Sequence, residues 1–306
     1  MFRRFLLTIL AATCGTLVLQ ARPAEARQIR IVASTTDLGS IASSVGGADV
    51  EVTAISRPNG DPHRVEVLPS YMVKVARADL YLKVGLGLDQ WADQIVDGSH
   101  SGSVKVIDCS KGVPVLEKPT GKVSADMGDV HPDGNPHYWL DPRNAGLVAG
   151  TISEALSAAD PGHAADYAAR AGEFARAAEG MVEKGKAAVL ALPSRKLVTY
   201  HGSWSYFANA FGFKVVITLE PVPGIPPTAR HLDRVVGIVK QEKPIVILQE
   251  PYFSLDAGKF LMRETGVRLV VASASAEDVA AGSYLSHIQT LIDQVTTVVP
   301  VPASGR

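Results

Sequence analysis

The chain has almost nothing to serve as a covalent staple. Two of its 306 residues are cysteine. Cys14 falls in an N-terminal stretch with the marks of a cleaved leader, which leaves Cys109 alone. No disulfide is therefore expected within the mature monomer. Excess charge is missing as well. With 30 Lys and Arg against 31 Asp and Glu, the formal net charge is -1, so there is no electrostatic case for a nucleic-acid partner. Aromatic residues make up only 6%. Trp91, Trp139 and Trp204 are far apart, without interleaved basic residues, which favours packing over a platform for stacking bases or sugars. There is no short-period repeat and no low-complexity tract. Beyond the N-terminus no apolar run is long enough to span a bilayer. Compact catalytic metal motifs such as His-Glu-x-x-His are also absent.

The N-terminus is tripartite. Arg3 and Arg4 form a positive region, residues 5–19 are largely apolar, and Ala24-Glu25-Ala26 is a small-x-small cleavage site. Residues 1–26 are read as a signal peptide, and the protein as exported with cleavage after Ala26. Thr8, Thr13 and Cys14 interrupt the apolar run, which argues against a membrane anchor. Ala-Ala-Thr before Cys14 is a poor match to a lipoprotein signal.

What remains is globular in composition, 46% hydrophobic and 20% charged, and long enough for two domains. The stretch 161–192 is the organising element. Asp160 suits a helix N-cap and Pro161 the first helical position. Tyr167, Ala171, Phe174, Ala178 and Met181 recur at spacings of 4, 3, 4 and 3, one apolar stripe of a helix. Such a helix is roughly 45 Å long at about 1.5 Å per residue, and it reads as a spine between two lobes. Gly172, Gly180 and Gly185 weaken it by propensity, so tertiary packing must hold it.

Both flanks alternate short apolar runs with helical patterns. Strands are expected near 29–33, 50–55, 80–84 and 104–107 before the spine, and near 196–200, 215–219, 245–248 and 267–271 after it. The fold class is α/β: two lobes, each with a mainly parallel sheet flanked by helices, bridged by one long rigid helix. The divisions are 27–160, 161–192 and 193–306. Residues 114–134 are polar and aperiodic and read as a mobile loop.

Three histidines stand out. His63 follows the second strand in the turn-rich run 57–63, His137 lies in 135–142, and His201 follows the strand ending near Tyr200. In open α/β sheets ligands gather beyond the carboxyl ends of strands. Three neutral imidazoles plus one oxygen donor suit tetrahedral Zn²⁺. Spacing alone is a weak signal, because no two of these histidines form a compact pair. His100, His163, His231 and His287 are expected at the surface. Asp141 is expected to cap the next helix or to orient His137.

These stretches resemble the cluster A-I solute-binding proteins of bacterial ABC importers for zinc and manganese. The resemblance is carried by Asn59-Gly60-Asp61-Pro62-His63, by the box Asn135-Pro136-His137-Tyr138-Trp139-Leu140-Asp141-Pro142, and by Tyr200-His201 before an aromatic helix. Gly85 to Trp91 and the loop Pro223-Gly224-Ile225-Pro226-Pro227 also fit, the latter resembling a zinc-type branch. The resemblance covers 29–295. It implies a periplasmic carrier, not an enzyme, taking up Zn²⁺ (alternatively Mn²⁺ or Fe²⁺). The carrier would be a monomer that hands the ion to an inner-membrane permease driven by a cytoplasmic ATPase. An exported zinc hydrolase is the reading from another class.

Two departures matter. The histidine-rich loop common in the family is reduced here to His131. The aspartate that often supplies the fourth ligand is replaced by Ala272-Ser273-Ala274-Ser275-Ala276. The expected ligands are thus His63, His137, His201 and, as replacement carboxylate, Glu250, with Asp278 or water as the alternatives.

Overall fold

The computed structural model describes residues 27–121, 123–124 and 127–297. The expected signal peptide lies outside the described residues. The first sheet takes β1 (Ile29–Ala33), β2 (Val50–Ala54), β3 (Leu80–Lys83) and β4 (Lys105–Asp108), in spatial order β2-β1-β3-β4 and parallel throughout. The second takes β5 (Lys196–Thr199), β6 (Lys214–Thr218), β7 (Val246–Gln249) and β8 (Arg268–Val271), in the corresponding order β6-β5-β7-β8. Composition tracks position. The central strands β1, β3, β5 and β7 are mostly buried, as parallel strands covered on both faces must be. The edge strands β4 and β6 show half-exposed or exposed residues.

The helices covering these sheets begin and end where local chemistry dictates. In the first lobe they are α1 (Thr36–Gly46), α2 (Pro69–Ala76), α3 (Trp91–Gly98) and α4 (Pro142–Ala159). Thr35 caps α1 through its hydroxyl, and Asp141 caps α4 ahead of Pro142. After the spine come α6 (Ser205–Phe211), α7 (Ala229–Glu242), α8 (Asp256–Thr265) and α9 (Ser283–Thr296). Among the described residues no helix is long and apolar enough to cross a membrane.

The spine is α5 (Ala164–Leu190), 27 residues, preceded by a 3-10 turn over Pro161–His163. Asp160 does not cap it through backbone amides. Its carboxylate is taken by the His163 ring and the Tyr167 hydroxyl, 3.0 Å away in the latter case. The buried stripe runs Tyr167, Ala171, Phe174, Ala178, Val182, Gly185, Val189. Val182 takes the place expected for Met181, which is only partly buried. A period of 3.6 needs more fours than threes, so a strict alternation drifts off the contact face. Gly185 has a packing reason: a Cβ there would lie 2.6 Å from the Phe211 ring of α6.

α5 packs against α1 and α4 and also against α6 and α9. Trp139, wholly buried, donates its indole N–H to the Ala274 carbonyl at 2.8 Å. Asp37 at the start of α1 accepts from the Ala276 amide at 2.9 Å. These bonds join the histidine box and α1 to the segment after β8, placing the strand ends of both sheets around one cleft.

Candidate metal centre

His63 and His137 are presented by the same local device. In Asp61-Pro62-His63 the Asp61 carboxylate accepts from the His63 amide at 2.9 Å and from its Nδ1 at 2.8 Å. In Asn135-Pro136-His137 the Asn135 Oδ1 accepts from the His137 amide at 3.0 Å and from Nδ1 at 2.9 Å. The proline restricts its own φ and the backbone of the residue before it. A short Asp or Asn side chain then folds back onto the amide two residues on. The amide of Asn135 is held the right way round, since its Nδ2 donates to Glu117 and to the Gly202 carbonyl at 2.8 and 2.9 Å. The Trp91 indole steadies the first device by donating to the Pro62 carbonyl at 2.9 Å.

His201 has a different support. It follows β5, and its Nδ1 lies 2.6 Å from the Glu220 carboxylate, with both side chains almost fully buried. Glu220 also accepts from the Gly224 amide at 3.1 Å. In all three histidines an acceptor holds Nδ1, which places the proton there and leaves Nε2 as the bare nitrogen.

The three rings converge. Their centroids are 5.0 Å apart for His63 and His137, and 5.5 Å for each of the two pairs with His201. Among the described residues one ligand atom from each lies within 4.8 Å of the others. Tetrahedral zinc at about 2.0–2.1 Å from nitrogen would ask for nitrogens roughly 3.4 Å apart, a small contraction. The Nε2 atoms of His63 and His137 are buried without a hydrogen-bond partner. An unsatisfied buried polar atom costs about 1–3 kcal/mol, and such a cost calls for an explanation. A bound cation is one.

Electrostatics suit a cation. Burial, with His63, His201 and His131 nearby, drives His137 well below the usual imidazole range, so it is neutral and able to ligate. Burial pulls His201 down, but the hydrogen bond and charge of Glu220 and the charge of Glu250 outweigh it and leave it raised. Burial pulls Asp61 up, yet its bonds to His63 prevail and hold it below the usual carboxylate range.

Glu250 follows β7 and is completely buried, with neither carboxylate oxygen hydrogen-bonded. Burial pushes its pKa up to about 7, against the pull of the His201 charge. The structure does not bring it into the 4.8 Å nitrogen group. Asp278 is exposed and caps the Ala280 amide at 2.8 Å. Asp141 caps α4 and pairs with Arg143, leaving the orientation of His137 to Asn135.

Of the histidines expected at the surface, His100 is exposed. His163 also lies at the surface, its side chain 41% exposed, whereas His231 and His287 are half-buried. His287 packs against the Ser273 backbone, and burial lowers its pKa to about 4. Sequence reasoning missed Asn135 and Asp61 as supports, although the repeated Asx-Pro-His spelling was available to find them. Glu220 had no local signal.

A sequence model of the family described as zinc-uptake complex component A, periplasmic, matches residues 31–298. The iron-binding protein YfeA of Yersinia pestis is 29% identical over 281 residues, covering 88% of this chain and 86% of that protein. The manganese-binding lipoprotein MntA of Halalkalibacterium halodurans is 28% identical over 247 residues, covering 79% and 78%. A crystal structure of ZnuA shares the fold with a TM-score of 0.78 at 24% identity, over 89% of this chain and 99% of that one.

Proposed function

Because the chain belongs to the family of zinc-uptake complex component A proteins, substrate-binding proteins of metal transport and not enzymes, we propose that it carries Zn²⁺. In this reading the exported, periplasmic chain takes up the ion as a monomer and delivers it to an ABC permease with its cytoplasmic ATPase. The ion lies between 27–160 and 193–306, which 161–192 connects. His63, His137 and His201 each give one Nε2, and Glu250 is the carboxylate of the site, partly offsetting the ion's charge.

The observation that carries this reading is the convergence of three imidazoles whose other nitrogens are all occupied. An all-nitrogen group favours zinc over manganese, which prefers oxygen. Relatives named for iron and manganese make those metals the rival cargo. Metal analysis of the purified chain, followed by competition titration of Zn²⁺ against Mn²⁺ and Fe²⁺, decides it. Tighter binding of either rival would end the zinc assignment.

Glu250→Gln keeps the size and removes the charge. It is expected to weaken zinc binding at least tenfold, within or above the range for groups supporting a ligand. An affinity within about twofold of the parent, under roughly 0.5 kcal/mol, makes Glu250 structural.

Zinc affinity is also expected to depend on pH. His201, raised above 6.5, must lose its proton to ligate, and Glu250, raised to about 7, must lose its own to offer charge. Glu250 is deprotonated only above about 7 and His201 only above the ordinary imidazole range, so affinity should fall as pH drops through about 7, by roughly tenfold per pH unit for each proton displaced. Titrations at about pH 8 and about pH 6 that give equal affinity would show that neither group releases a proton on binding.

A further inference from the structure

Zinc held by three nitrogens takes a fourth donor, and the aspartate the family often uses is absent here, where Ala272 and Ser273 stand. We infer that His131 supplies it as a fourth imidazole. This inference rests on the zinc-carrier reading and adds a ligand to it.

The first observation is distance. The His131 ring centroid is 5.3 Å from that of His63, with the planes 28° apart. The triad rings stand 5.0 to 5.5 Å from one another, so His131 is as near to His63 as the other two members are. The second is the state of its nitrogen. His131 Nε2 is buried without a hydrogen-bond partner, so ligation breaks no bond there. The third is location. His131 lines one cavity together with His137 and His201, and with Asn135, Gly202 and Pro223.

The loop also places His131 between the two halves of the site. The Asp129 amide donates to the Pro223 carbonyl at 2.9 Å, and its carboxylate lies 3.6 Å from the Arg64 guanidinium, next to His63. Gly134 N–H closes a turn onto the His131 carbonyl at 3.1 Å. His131 Nε2 is not within the 4.8 Å group, so the ring must advance when the ion arrives. Glu250 directly follows a paired strand, which holds its backbone in place. In this arrangement its charge acts on the ion from within the second lobe, and the fourth bond goes to nitrogen.

The test uses the purified chain and Zn²⁺ alone. Chelator competition gives affinity, and zinc-edge X-ray absorption counts imidazoles. His131→Gln is expected to weaken zinc binding tenfold to a hundredfold or more and to change the fit from four imidazoles to three. Its metal-free melting temperature should match the parent, which separates ligand loss from misfolding. If His131→Gln binds zinc within twofold of the parent, or the parent shows only three imidazoles, while His137→Ala loses zinc, His131 is not a ligand and the carrier reading stands. If His137→Ala also keeps its zinc, both fall.

Discussion

Replacing His137 by alanine is expected to cost at least a hundredfold in zinc affinity, more than the loss of most groups that merely support a ligand. His137 is the most deeply placed of the three imidazoles and is held neutral by burial. It has no hydrogen bond at Nε2 to lose. The stability readout follows by mass action. At a thousandfold excess over the parent's dissociation constant, zinc adds about 4 kcal/mol to the folded state. After a hundredfold loss, the same zinc concentration adds only about 1.4 kcal/mol. Thermal melts with and without zinc would show this as a collapse of the metal-induced rise. His100→Ala, at an exposed position, is the matched control and should keep the full rise. Unchanged binding in His137→Ala would remove this residue from the site.

Trp139→Ala is expected to have the largest effect on the metal-free protein. The indole is wholly buried, packs 5.3 Å from the His137 ring, and donates to the Ala274 carbonyl. Truncating a buried tryptophan costs about 3–5 kcal/mol, and here it also leaves that carbonyl without its donor. Trp139→Phe should lose less, because the ring remains and only the donor goes. Urea unfolding reads the stability, and zinc titration should show a secondary loss as His137 loses its wall. A change under about 1 kcal/mol in Trp139→Ala would mean that the two lobes are not held together through this residue.

The supports of the three histidines were unequally legible. Asp61 and Asn135 sit two residues before their histidines, across a proline, so their hydrogen bonds are local consequences of the backbone. Glu220 reaches His201 across 19 residues of sequence, after helix α6 and strand β6, and its partner depends on how β6 lies beside β5. The stripe of α5 was readable in its first half, then drifted. Its course past Ala178 is decided by what α6 and α9 present to it, as Gly185 against Phe211 illustrates.

Local sequence carries the alternation of strands and helices, the long connecting helix, and the choice of His63, His137 and His201 as candidate ligands. Each of these depends on residues within a few positions of one another, through backbone preference or a repeating apolar face. Only the tertiary structure decided that His131 stands beside His63, that Asp278 points to an exposed turn, and that Glu250 is buried outside the nitrogen group. Those facts depend on which loops from two separate sheets meet at one cleft. That meeting is fixed by packing between distant segments, which short-range periodicity does not encode.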